Sequence, residues 1–167
     1  ENRNEVVAIA AERQYLAAAD RDAVLTVYDT RNPSKPLFSI PSFRESIKCI
    51  AVSQSFHLIV CGAREMSDNL SRSDDSLPSS SASSSLLFCS INSRTFFKSV
   101  NLGEKVPNKI LLTPCWGFSL VQTKMIEHGK RIFALSLFSA NGDLIREIKL
   151  NGEFVKWSSF RSKSGFD

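Results

Sequence analysis

The chain has 167 residues, enough for one domain of ordinary size with a real core. Apolar residues make up 43% and charged residues 23%, and a net charge of +4 rests on Lys and Arg scattered singly, with no basic block to track a nucleic-acid backbone. The longest apolar run, around Ile110 to Val121, is broken by Pro114 and Gly117 and is too short to span a bilayer. The sequence begins at Glu1 without a Met or a signal-peptide pattern, and is expected to be a piece of a longer protein.

The elements follow in chain order. Glu5–Ala10, Tyr15–Ala19, Ala23–Tyr28 and Lys35–Ile40 read as four short strands, the middle two joined by the turn Asp20-Arg21-Asp22. In the third, Val24, Thr26 and Tyr28 point one way and Leu25 and Val27 the other, so the strand expects cover on both sides. Asn32-Pro33 predicts a longer, stiffer loop before the fourth. A second quartet covers Ser46–Val52, Phe56–Gly62, Leu86–Asn92 and Thr95–Leu102. A third covers Asn108–Pro114, Gly117–Thr123, Ile132–Ser139 and Asp143–Leu150, and a fourth opens at Glu153–Phe160. Asn141-Gly142 is a strong hairpin signal because both positions tolerate φ > 0.

The quartets recur at about 41 and 46 residues, the period of four-stranded propeller blades. The middle step is longer by a segment of about 20 residues, and removing it restores the period. The predicted fold is all-β: a partial β-propeller of about three and a half antiparallel, WD-like blades, near 5–41, 46–103, 107–151 and a partial 153–167. A β-sandwich is the structural alternative, since short strands at regular spacing suit it too. An unclosed stack of blades is expected to leave one unpaired blade face on each side.

Asp20–Asp29 resembles the end of a WD repeat, with Tyr28-Asp29 at the Trp-Asp position and Ala23 where a Gly is usual. The Gly-His pair that normally precedes a first strand is absent. Phe56–Arg64, Leu86–Phe118 and Leu137–Asp167 resemble the degenerate WD propeller at the C-terminal end of BEACH proteins, the beige/neurobeachin family. The resemblance covers most of the chain and rests on strand-and-turn phrases. It implies a cytoplasmic scaffold for other proteins, peripheral to endomembranes through its parent and acting in vesicle or endolysosomal traffic. Membrane association would be indirect, and no nucleic-acid partner is implied.

The segment 64–85 holds ten Ser among its 22 residues and is expected to be a disordered insertion. It replaces a turn on the face that commonly binds partners in WD-type propellers. Ser71, Ser73 and Ser76, beside Asp74 and Asp75, are candidate phosphorylation sites, and a tolerated insertion without a role is the plain alternative. The sequon Asn69-Leu70-Ser71 is inert in a cytosolic protein. Arg21, Asp22, Arg44, Glu45, Glu104 and Lys105 are candidates for a partner-contact rim, against the alternative of ordinary solvated loop charge.

Catalytic patterns are not found. There is no GxSxG and no Gly-rich phosphate loop, His57 sits inside an apolar strand, and His128 lies in the polar turn Glu127–Lys130. Cys49, Cys61, Cys89 and Cys115 form no CxxC pair and read as buried, reduced thiols. Pro114–Phe118 is a hairpin, and Trp116 and Trp157 are packing residues. No enzyme activity, cofactor or metal is expected. The functional alternatives are a WD-type adaptor of another system, or a propeller hydrolase or lyase with its site in the central channel.

Overall fold

The computed structural model describes residues 5–42, 45–65, 83–113 and 117–152. Among them are twelve strands and no helix. The first sheet holds β1 (Val6–Glu12), β2 (Tyr15–Asp20), β3 (Val24–Asp29) and β4 (Asn32–Pro41). The second holds β5 (Glu45–Ser53), β6 (Leu58–Glu65), β7 (Ser84–Ser90) and β8 (Thr95–Gly103). The third holds β9 (Val106–Leu112), β10 (Ser119–Glu127), β11 (Lys130–Phe138) and β12 (Leu144–Leu150). Each sheet is an antiparallel meander in chain order, so each predicted quartet is one sheet. The arrangement is compatible with a β-propeller-like fold. The expected fourth quartet, Trp116, Trp157 and Cys115 lie outside the described residues.

The first strand of the middle sheet, β5, lies between β1 and β9, and the sheets pack face to face with β2 against β5 and β9 also against β6 and β7. Alternation along the middle sheet explains how one strand serves two cores. Ile59, Cys61 and Ala63 of β6 and Leu87 and Cys89 of β7 join Ala17, Ala19, Leu25 and Val27 of the first sheet. Leu58 and Val60 of β6 and Leu86 and Phe88 of β7 face Leu112, Val121 and Phe138 of the third. Continuous apolar runs are what a strand covered on both faces requires. In β3, Leu25 and Val27 are fully buried, whereas Val24, Thr26 and Tyr28 are half-buried on the outer face. Ile9 on that outer face is 64% exposed.

Close approach fixes the second seam. The Cα of Gly62 faces Pro107, and a Cβ there would lie 2.7 Å from the Pro107 Cβ. Polar contacts tie the first seam, where the Gln54 N–H donates to Glu12 Oε2 at 2.7 Å and the rings of Tyr15 and His57 meet edge-on at 6.2 Å.

The turns correct four expectations. Asn32-Pro33 is not a loop: β4 begins at Asn32, the turn is Thr30-Arg31, and the extra residues are absorbed as a register shift between Tyr28↔Pro36 and Asp29↔Asn32. His57 is not in a strand but closes the turn after β5 with φ +48°, its N–H donating to the Gln54 carbonyl. At Asn141-Gly142 only Gly142 has positive φ (+82°), and its N–H donates to the Ser139 carbonyl. That is a three-residue hairpin loop with its left-handed residue last. The pair that takes positive φ at both positions is His128 (+51°) and Gly129 (+74°), in the two-residue turn between β10 and β11. The bounds 64–85 expected for the disordered insertion are also too wide at both ends, and residues 66–82 lie outside the described residues. Arg64 pairs with Ser84, Ala63 with Ser85, and the Glu65 N–H donates to the Ser83 carbonyl, so both stubs belong to the ladder.

Ala23 carries φ +62° in the turn between β2 and β3. Its N–H donates to the Asp20 carbonyl, and Asp20 Oδ1 accepts from the Val24 N–H at 2.9 Å. A Cβ in the left-handed region costs about 1 kcal/mol, and glycine escapes that cost. Ala23→Gly should therefore raise the stability of the chain by about 0.5–1 kcal/mol in urea unfolding. A loss would mean that burial of the Ala23 methyl outweighs the backbone strain.

Candidate partner-binding face

Because every sheet is a meander and β1, β5 and β9 share one direction, the connections sort onto two rims. One rim carries the turns Asp20–Ala23, Gly103–Lys105 and Glu127–Lys130, the link between β4 and β5, and the stubs Glu65 and Ser83. The opposite rim carries Arg13-Gln14, Gln54–His57, Ile91–Arg94 and Ala140–Gly142. The anticipated rim residues inside the described segments lie on the first of these. Arg44, Ser71, Ser73 and Ser76 lie outside the described residues.

Arg21 is exposed and its Nη2 stands 3.0 Å from Glu5 Oε2. Asp22 beside it is exposed. Glu45 is not a loop residue. It opens β5, is half-buried, and its Oε2 accepts from the Ser85 hydroxyl at 2.6 Å, while its backbone carbonyl accepts from the Ser42 hydroxyl. Glu104 is exposed. Lys105 is half-buried and reaches across the seam to Glu147 of β12, with Nζ 2.6 Å and 2.8 Å from the two carboxylate oxygens. That ammonium, helped by the Ser136 hydroxyl and opposed by partial burial, holds the Glu147 carboxyl below the usual carboxylate range. Lys105 and Glu45 are thus fasteners of the fold, and Arg21, Asp22 and Glu104 are the exposed ones among the anticipated rim residues.

Sequence reasoning missed the cations that this rim gathers. Arg64, Lys124 and Arg131 are exposed at the ends of β6, β10 and β11, far apart in the chain. The signal was the sheet repeat itself: strand ends of neighbouring sheets meet on a rim, and each of these residues lies within the last or first few residues of its strand there.

Among the described residues no group of three or more His, Cys, Asp or Glu is placed to hold a metal. Cys61 and Cys89 are buried, Cys49 is half-buried, and all three are free thiols. Burial pushes the Cys49 and Cys89 thiols up to about 12 and raises the Cys61 thiol well above the ordinary value, which opposes the thiolate that nucleophilic chemistry needs. Thiolates are favoured in the unfolded chain, so this contribution is intact below the ordinary thiol value of 9.0 and is lost as pH rises toward 12. The urea midpoint should fall between pH 9 and pH 12, and less steeply in Cys61→Ala. Equal slopes would remove Cys61 from the effect.

No protein-family model matches the sequence, and no curated protein sequence matches it. Solved structures do match in fold. The computationally designed Ika4 protein superposes with a TM-score of 0.59 at 11% identity, over 92% of this chain and 76% of its own. U3-55K, a WD-repeat protein, gives 0.60 at 10% identity over 89% of this chain. The designed Ika8 protein gives 0.55 at 12% identity over 86%. This chain spans 40% of U3-55K and 36% of Ika8. These likenesses concern the fold alone, and they agree with an all-β chain whose described residues form three four-stranded antiparallel sheets.

Proposed function

We propose that the three sheets are blades of a WD-type β-propeller, and that the chain serves as a non-catalytic scaffold for other proteins. The observation that carries this reading is the repeat of one four-stranded antiparallel meander in three successive sheets, which sets the connections on two opposite rims. Such a framework holds variable loops on rigid strands, which suits recognition. The fold likeness to a WD-repeat protein supports the same class.

The resemblance of several strand-and-turn phrases to the BEACH family extends the proposal to a cytoplasmic trafficking scaffold whose parent carries it to endomembranes. Cross-linking of the parent protein in cells tests the first part: partner cross-links should concentrate on the rim of Arg21, Asp22 and Glu104. Cross-links confined to the opposite rim, around Arg94 and Gly142, would overturn it. The parent transcript tests the second part. A BEACH block upstream supports trafficking, and an unrelated adaptor or catalytic domain in its place removes that claim.

A further inference from the structure

On the first rim the second and third sheets part to leave a cavity of about 430 Å³, walled by Arg64, Lys124 and Arg131. A smaller cavity of about 260 Å³ shares Arg64 and Lys124 and adds Lys48. Four cations therefore border the two spaces, against the single carboxylate of Glu104. None of the four takes part in the ion pairs found among the described residues. Lys48 Nζ donates to the Ser46 hydroxyl at 2.9 Å, which leaves its charge uncompensated.

The ladder holds these charges in place. Arg131 pairs directly with Ile126, and Lys124 with Val106. Like charges near one another repel, and an entering anion relieves that repulsion. The wall is also apolar: Val106 and Met125 line it, and Ile126 is 72% exposed beside them. A large aliphatic side chain open to water amid cations suits a ligand that brings both an anion and an apolar group.

We propose that this cavity binds an acidic peptide segment of a partner protein. Anionic side chains of the segment, carboxylates or phosphoserines, meet Arg64, Lys124 and Arg131, and one apolar side chain covers Val106 and Ile126. A flat anionic membrane fits less well, because Glu65, Glu104 and Glu127 are exposed on the same rim and would face it together. An extended peptide can thread between them. The proposal deepens the scaffold reading and rests on it, supplying the partner's chemistry.

The test is fluorescence anisotropy on the full chain with three short labelled peptides: one rich in Asp, Glu and Leu, one with phosphoserine in place of Glu, and one rich in Lys and Leu. Vesicles of phosphatidylcholine and phosphatidylserine form a separate arm. An acidic peptide should bind, and the phosphoserine arm tells which anion is preferred. Lys124→Glu with Arg131→Glu should weaken binding at least about tenfold. Lys35→Glu with Arg94→Glu, exposed charges elsewhere, should leave it unchanged, with circular dichroism checking the fold of both variants. Equal losses in the two variants, or equal binding of the Lys-rich peptide, overturn the proposal. So does binding to vesicles without binding to acidic peptide. Rim cross-links to partners that survive Lys124→Glu with Arg131→Glu overturn this cavity while leaving the scaffold reading in place.

Discussion

Gly62→Ala is expected to cost about 3 kcal/mol of stability, at the upper end of what overpacking a core by one methyl does. The added Cβ would stand 2.6 Å from the Cys49 sulfur, 2.7 Å from Pro107 Cβ and 2.8 Å from Pro107 Cγ. Neither neighbour has an easy retreat. Cys49 lies directly across the β5–β6 ladder from Gly62, and the Pro107 ring is buried and rigid. Relief requires the second and third sheets to move apart, which loosens the packing of Val60, Leu86 and Val121 behind the contact. Gly152→Ala is the control, since its Cβ would meet nothing and its backbone is ordinary; it should stay within about 0.5 kcal/mol. Urea unfolding reads both. Equal effects would show that Gly62 is not the contact on which the seam closes.

Phe88→Ala should be larger, about 3–5 kcal/mol. Phe88 is fully buried in β7, its ring 6.5 Å from Phe138 across the seam and 6.3 Å from Phe97 on the next strand. The turn at Gly142 closes over it, since a Cβ there would approach the ring at 3.1 Å. Truncation opens a space bounded by strands from two sheets, and neither can collapse into it without breaking ladder pairs. A measured loss below about 1.5 kcal/mol would mean that the seam can collapse, placing the site among tolerated volume changes.

The strands were legible because their two-residue alternation and their breaks at charged or Asn-Gly turns repeat in one order. Even the departure at Ala23 was visible, and its physical meaning is a side chain held at φ +62°. Less legible were the details set by backbone geometry. Asn32-Pro33 looked like loop, yet Pro33 sits in the shifted register of the fourth strand, where its missing N–H leaves no gap in a regular ladder. His57 sat between apolar neighbours in sequence, and the left-handed turn it makes has no side-chain signature. Gln122 is another such case. It is wholly buried, with neither amide atom partnered among the described residues, and nothing in its neighbours announced that.

Of the candidate rim, sequence spacing found the connections but not their roles. Glu45 and Lys105 looked like free loop charges, and their carboxylate and ammonium turn out to be spent on Ser85 and Glu147. The cations that remain open, Arg64, Lys124 and Arg131, became neighbours only when strand ends from two sheets were brought together.

The outer sheets find their main packing in the middle one, β1 and β2 against β5, and β9 against β5, β6 and β7. The described residues therefore form three links in series, each held by its immediate neighbour, as in other repeat architectures. Strain entered at one end reaches the other only by passing through the second sheet. A ligand gripping that sheet at Arg64 would stiffen both joints at once, whereas damage to either end sheet would cost the molecule a single joint.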